Sequence, residues 1–231
     1  ASFSRINEYN NVPQRQFGNK IISHVDSVEI HGLNFQVVGG HSQKELYNGF
    51  QCTLNIGRRY MIQGENGSGK STLVKIITGL YRTVGIIYIN NIPLESLDIP
   101  CFLSKHVSVV PQKLFSPMGT VCEFLSFRFS CLEKDIRKKK KKKMIFSSFV
   151  ASVLDRECRN LSGGELRKLF IWIAVSRSSE ILILDEPTTG LDDAGRKDLI
   201  NYIEDNPQNQ ILLICSHDVE LQAIVDETFL L

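Results

Sequence analysis

The chain is poor in paired cysteines: six occur among its 231 residues, and none stands in a C-x-x-C pair. Scattered at Cys52, Cys101, Cys122, Cys131, Cys158 and Cys215, they argue against a disulfide framework or zinc site and fit buried, reduced cytosolic thiols. No apolar run approaches the roughly 18–20 residues needed to cross a bilayer. The longest candidates, Phe170–Val175 and Ile181–Leu184, are core-sized, so work at a membrane would require something else to span it. The stretch Ala1–Lys20 is polar and rich in Asn and Gln, so no signal peptide is expected. Charge of one sign is also lacking. A net charge of +2 gives no global field that favours nucleic acid or an acidic substrate. No internal repeat occurs. What is present is 42% hydrophobic content over 231 residues, enough to bury the core of one domain with a small subdomain.

Residues 1–25 read as a polar linker, helical around Phe3–Tyr9 and stopped by Pro13. Val28–Val37 and Phe50–Ile56 then read as strands around a Gly39-Gly40 turn. Short, mostly β-branched runs follow at Tyr60–Gln63, Ile86–Ile89, Val107–Val110, Ile181–Leu184, Ile211–Cys215 and Thr228–Leu231. They read as strands buried on both faces. Helical stretches separate several of them, notably Ser71–Leu80, Gly163–Ser178 and Ala194–Glu204. The alternation predicts an α/β core with a mainly parallel sheet and an antiparallel β subdomain at its N-terminal side. Lys113–Asn160 interrupts the alternation and predicts an inserted helical subdomain, whose helical part runs on to about residue 178.

Polar residues of chemical interest sit at the carboxyl ends of these strands, where open α/β sheets hold their ligands. Gly64 follows Tyr60–Gln63, Gln112 follows Val107–Pro111, Asp185 follows Ile181–Leu184, and Ser216-His217 follows Ile211–Cys215. Gly64-Glu65-Asn66-Gly67-Ser68-Gly69-Lys70-Ser71 fits G-x-x-x-x-G-K-[ST] throughout, with Thr72 next in the helix. Its glycines permit the backbone angles that turn successive N–H groups toward one anion, and the helix beginning near Lys70 adds its positive end. The bland alternative is a glycine-rich turn before a helix. On the functional reading, Lys70 reaches the β- and γ-phosphates and the Ser71 hydroxyl ligates Mg²⁺. Asp185 suits a second Mg²⁺ ligand, and Glu186 a base for the attacking water; the plain alternative is a helix-capping pair before Pro187. His217 suits a sensor of the γ-phosphate, against a merely structural hydrogen-bonder. Gln112 is expected to reach Mg²⁺ or water from the hinge of the inserted segment, against an ordinary strand exit.

Leu161-Ser162-Gly163-Gly164-Glu165, a short helix upstream of Ile181–Glu186, separates this chain from other phosphate-loop proteins. With it, the sequence from about residue 26 to the end resembles an ATP-binding cassette (ABC) nucleotide-binding domain. Walker A at Gly64–Ser71, the Q-loop at Gln112, the signature at Leu161–Glu165 and Walker B at Ile181–Glu186 stand in family order. The D-loop Thr189-Gly190-Leu191-Asp192 and the H-loop His217 complete it. The resemblance implies a phosphate-loop NTPase-like core and an ATPase that uses ATP and Mg²⁺ and works as a head-to-tail homodimer. Lys70, Asp185, Glu186 and His217 would serve one site, while Ser162, Gly163 and Gly164 would complete the site of the second domain; Asp192 of the D-loop is expected among the nucleotide-binding residues. Ile6-Asn7-Glu8, Gly79-Leu80-Tyr81 with Gly85–Ile89, and Gly119–Glu123 resemble exporter cassettes. They imply a transmembrane-domain partner and a place at the cytoplasmic face of a membrane. A separately encoded subunit, or a soluble ABC switch acting on ribosomes or DNA, is the alternative.

The sequence departs from the exporter pattern at Val37, where an aromatic usually stacks on adenine. Tyr47 and Phe35 are the possible substitutes. The signature ends in Glu165 instead of the commoner glutamine, and Asp155–Asn160 lacks the acidic-glycine motif. The run Lys138–Lys143 reads as a solvated charge block. Headgroup or nucleic-acid contact is the alternative there, but no aromatics interleave with the lysines, and no nucleic-acid partner is expected.

Overall fold

The computed structural model describes residues 18–39, 42–65, 67–81, 86–128, 144–205 and 209–231, with backbone alone at 37–39, 42–44 and 127–128. The expected helix Phe3–Tyr9, Asn66 and the run Lys138–Lys143 lie outside the described residues.

Two sheets form the frame. The strands β1 (Ser27–Gly39), β2 (Ser42–Asn55), β4 (Ile87–Ile89) and β5 (Ile92–Pro93) make an antiparallel sheet in the order β2-β1-β4-β5. A second sheet runs β6-β7-β8-β3-β9, from β3 (Arg59–Gln63), β6 (Val107–Val110), β7 (Ile181–Asp185), β8 (Ile211–Cys215) and β9 (Glu227–Leu230). All its pairings are parallel. The α/β class with a parallel and an antiparallel sheet agrees with the sequence reading.

One strand departs from it. The run at Ile86–Ile89, grouped with the buried parallel strands, pairs instead antiparallel to β1, Val28 opposite Ile89 and Ile30 opposite Ile87. The reason is local. Asn90 and Asn91 take φ of 51° and 63°, the left-handed pair of a two-residue hairpin, and fold β4 back onto β5.

Every residue of β7 and β8 is buried, and the strand period of two splits them between two cores. Ile181, Ile183, Ile211 and Leu213 face the core shared with the antiparallel sheet and with α1 (Lys70–Ile77). Leu182, Leu184, Leu212 and Ile214 face the other core. There they meet α3 (Val121–Arg128), α4 (Ser147–Ser152), α5 (Gly163–Ser176) and α6 (Asp193–Glu204). On the first side, α2 (Ile99–His106) starts at Asp98, whose carboxylate accepts the Cys101 N–H, with Pro100 in its first turn. The short α7 (Val219–Gln222) follows His217, capped by Asp218.

α5 ties the helical segment to the sheet. Its buried Trp172, 1% exposed, donates through Nε1 to Ser147 Oγ of α4 at 3.3 Å. Leu169, Ile171 and Ile173 pack in the same core as Leu182 and Leu184 of β7.

Candidate functional site

Register sets the site. Val110 of β6 pairs with Leu184 of β7, Asp185 of β7 with Cys215 of β8, and Cys215 with Ile62 of β3. Gln112, Asp185-Glu186, Ser216-His217 and Gly64 therefore leave neighbouring strands at one edge of the sheet.

The loop after β3 closes on α1 through Gly69, whose φ of 113° and ψ of 0° place it in a region that favours glycine. A side chain there would also collide with Tyr47, whose hydroxyl would lie 2.6 Å from the added Cβ. The Gly69 carbonyl accepts the N–H groups of Thr72 (2.7 Å) and Leu73 (2.9 Å) and the Tyr47 hydroxyl (2.6 Å). Because a trans peptide points its N–H opposite to its carbonyl, the Lys70 N–H is aimed away from the helix, toward the loop. Lys70 Nζ donates to the carbonyls of Gly64 (2.7 Å) and Glu65 (3.1 Å) and stands 3.9 Å from Glu186 Oε1.

Ser71 Oγ donates to Asp185 Oδ2 at 2.7 Å. Burial, joined by the nearby Glu186 charge, raises the Asp185 carboxyl above its ordinary range, against the opposing pull of Ser71, Lys70 and the Gln112 amide. Its other oxygen, Oδ1, is buried without a hydrogen-bond partner, as is Ser68 Oγ. An unpaired carboxylate oxygen beside a serine hydroxyl is an oxygen donor set that suits Mg²⁺. The residues present fit that ion.

Glu186 is buried and holds φ of 48°, rare for a residue with a side chain. Its N–H donates to the Cys215 carbonyl at 2.8 Å. Its carboxylate accepts from Ser216 Oγ at 3.2 Å and from the His217 ring at 3.1 Å. An ionised carboxylate can only accept, so Nδ1 of His217 carries the proton. The rest of that ring is open to solvent, its side chain 72% exposed.

Lys70, Ser71, Asp185, Glu186 and His217 thus meet, as the sequence reading expected. Ser162, Gly163 and Gly164 are not brought to that group. They open α5 in a capping box: Ser162 Oγ accepts the Glu165 N–H at 3.2 Å, and Glu165 accepts the Ser162 N–H at 2.7 Å. Arg156 pairs with Glu165 at 2.7 Å and, by that bond, lowers its pKa. A Cβ on Gly163 would meet open space, whereas one on Gly164 would lie 2.1 Å from the Gly190 carbonyl oxygen. Asp192 sits with this second group. Its carboxylate caps α6 at Gly195 and pairs with Lys168 at 2.6 Å.

Tyr47 cannot stand in for the missing adenine-stacking aromatic. It is 3% exposed, packed between Phe35 and Phe50 at ring distances of 6.3 and 6.0 Å, so it has no free face for a base. Phe35 is half-buried against Tyr81 at 5.6 Å. The sequence reading also missed Arg167, which is 5% exposed and donates to the Pro111, Gln112 and Asp185 carbonyls. The available signal was an arginine flanked on α5 by Leu166 and Leu169, both buried.

The family profile described as ABC transporter matches residues 47–189. The chain belongs to the ABC transporter family. It is accordingly an ATP-binding ATPase cassette. Among its relatives, the energy-coupling factor transporter ATP-binding protein EcfA1 of Thermotoga maritima is 29% identical, over 88% of this chain and 77% of that protein. The glutathione/L-cysteine transport system ATP-binding/permease protein CydC of Escherichia coli is 28% identical, over 83% of this chain but 34% of its own length. A solved bacterial Atm1-family ABC exporter with ATP bound superposes with TM-score 0.82 at 20% identity, covering all of this chain and 41% of that one. Its likeness supports the fold of the cassette. Among the described residues, no helix is long and apolar enough to cross a membrane.

Proposed function

We propose that this cassette hydrolyses ATP as one half of a head-to-tail pair and drives export through a transmembrane domain, at the cytoplasmic face of a membrane. One observation supports the reading: the expected site residues fall into two separate groups. Lys70, Ser71, Asp185, Glu186 and His217 form one, while Ser162 and Gly163 open α5 into solvent as the other. A helix N-terminus preceded by a serine hydroxyl is an anion site. In a second copy it would face the γ-phosphate held by this chain.

The chemistry follows from the positions. Lys70 exchanges its bonds to the Gly64 and Glu65 carbonyls for the β- and γ-phosphates. Ser71 and Asp185, with Gln112, would hold Mg²⁺, which when bound neutralises phosphate charge and orients the group in transfer. Glu186, fixed by Ser216 and His217, takes the proton of the attacking water. His217 presents its free Nε2 edge toward the γ-phosphate. Gln112 links the site to the segment after β6.

The exporter assignment is supported by Ile6-Asn7-Glu8 and Gly119–Glu123, and by the joining of cassette and permease in the name of the relative CydC. A second reading, a separately encoded cassette subunit, is favoured by the name of the relative EcfA1. Several apolar segments of about 20 residues encoded upstream of Ala1 would decide for the fused exporter. Cofractionation with ribosomes and no membrane association would favour a soluble switch.

The central test is Glu186→Gln. Turnover is expected to fall by about 10²–10⁴-fold, while ATP promotes a stable dimer by size-exclusion chromatography. Undiminished hydrolysis, with no gain in ATP-dependent dimer, sinks the role given to Glu186.

A further inference from the structure

Arg167 is a buried guanidinium that, among the described residues, forms no ion pair with a carboxylate. Burying such a charge is costly, and here its two terminal nitrogens donate to main-chain carbonyls instead, while Nε is buried without a partner among the described residues. Nη1 reaches the Pro111 carbonyl at 3.0 Å and the Asp185 carbonyl at 3.4 Å, and Nη2 reaches the Gln112 carbonyl at 2.7 Å. Those carbonyls leave adjacent parallel strands, since Val110 pairs with Leu184. The guanidinium therefore bridges the exits of β6 and β7 from the second turn of α5.

The peptide bond is planar, so holding its carbonyl fixes its N–H as well. The Pro111–Gln112 peptide is held through its carbonyl by Arg167 Nη1. The Gln112–Lys113 peptide is held by the second Arg167 bond. With both flanking planes fixed, φ and ψ of Gln112 are set, and so is the direction of its Cβ. A planar two-pronged donor can hold two successive carbonyls; an ammonium cannot do so with the same geometry.

We propose that Arg167 is the positioning residue for Gln112, and that it couples that side chain to the helix opened by Ser162, Gly163 and Gly164. The coupling gives one chain a mechanical link between the site it builds for its own nucleotide and the surface it offers a second copy. The inference rests on the reading of Gln112 as a group that reaches Mg²⁺ or water.

Two measurements test it. In the nucleotide-free full chain, Arg167→Met is expected to raise amide hydrogen exchange across residues 111–118 at least fivefold, leaving β7 unchanged. In ATPase assays, the same variant should lower kcat at least tenfold and raise the Mg²⁺ concentration for half-maximal rate at least fivefold. The KM for ATP should stay within twofold. Placed on Gln112→Ala, it should cost less than a further twofold. Wild-type exchange overturns the proposal, as does an additive loss on Gln112→Ala with KM rising in step, which would mark a merely structural role. Should Arg167→Met fail to fold, Arg167→Lys serves: exchange should still rise, and wild-type exchange in a folded Arg167→Lys overturns the proposal. A wild-type chain with no ATPase activity would count against the proposed function, and the exchange measurement would still decide the role of Arg167.

Discussion

Tyr47 shows how much one hydroxyl can fix. It reaches from β2 of the antiparallel sheet to the Gly69 carbonyl, the cap of the phosphate-loop helix. Its own acidity is depressed by burial, its pKa being raised, so it stays a donor at any working pH. Tyr47→Phe keeps the ring packing and removes this bond. It is expected to lower stability by about 0.5–1.5 kcal/mol, read by chemical denaturation; an unchanged midpoint would show that the hydroxyl contributes nothing. With Tyr47 buried, Phe35 is the remaining candidate for the aromatic that Val37 lacks. Val37→Tyr should tighten ATP binding by about 0.5–1.5 kcal/mol by titration calorimetry. Unaltered affinity would mean that another side chain already covers the base.

At the scale of elements, α5 carries two adjacent glycines with opposite surroundings. Gly163 faces open space, and Gly164 is pressed against the Gly190 backbone. Gly163→Ala should therefore leave stability within about 0.5 kcal/mol yet depress hydrolysis, because the added methyl would intrude on the nucleotide of a second copy. Gly164→Ala should push the Gly190 loop away and cost about 1–3 kcal/mol in thermal unfolding. If the two variants melt alike, the close approach of α5 to that loop is wrong. If Gly163→Ala keeps full activity, the surface at Ser162–Gly163 is not part of a nucleotide site.

For the whole molecule, the proposed pairing of half-sites predicts that specific activity rises with protein concentration. A flat profile over a hundredfold range would argue against a shared site. The last strands are fastened by Arg59, which donates to both carboxylate oxygens of Asp226 at 3.2 and 2.8 Å. Hydrogen bonding to Arg59 lowers the Asp226 pKa below the ordinary carboxylate value. With the folded pKa depressed, the unfolded chain takes up the proton first, so this stabilisation is present above about pH 4. It is lost as pH falls through the depressed folded value. Asp226→Asn should lower the melting temperature at neutral pH and flatten its fall on acidification; a parallel fall in both proteins would remove Asp226 from the acid response.

The motifs and the class of fold were legible because each is a local property. Gly64–Ser71 matches the phosphate-loop pattern residue by residue after a strand, and the unbroken apolar runs at Ile181–Leu184 and Ile211–Cys215 suit strands covered on both faces. Ile87–Ile89 was misplaced because three apolar residues look alike in either sheet, and the hairpin at Asn90-Asn91 decides between them. Arg167 was missed because helix position alone does not say what lies beneath a side chain. Only the register of β6 with β7, with α5 laid across them, brings the Pro111, Gln112 and Asp185 carbonyls under one guanidinium. By itself the sequence determined the family, the nucleotide loop and the acids at the strand ends. The tertiary structure alone decided which of those groups share a site, because strand register and helix docking are set by packing between segments far apart in the chain.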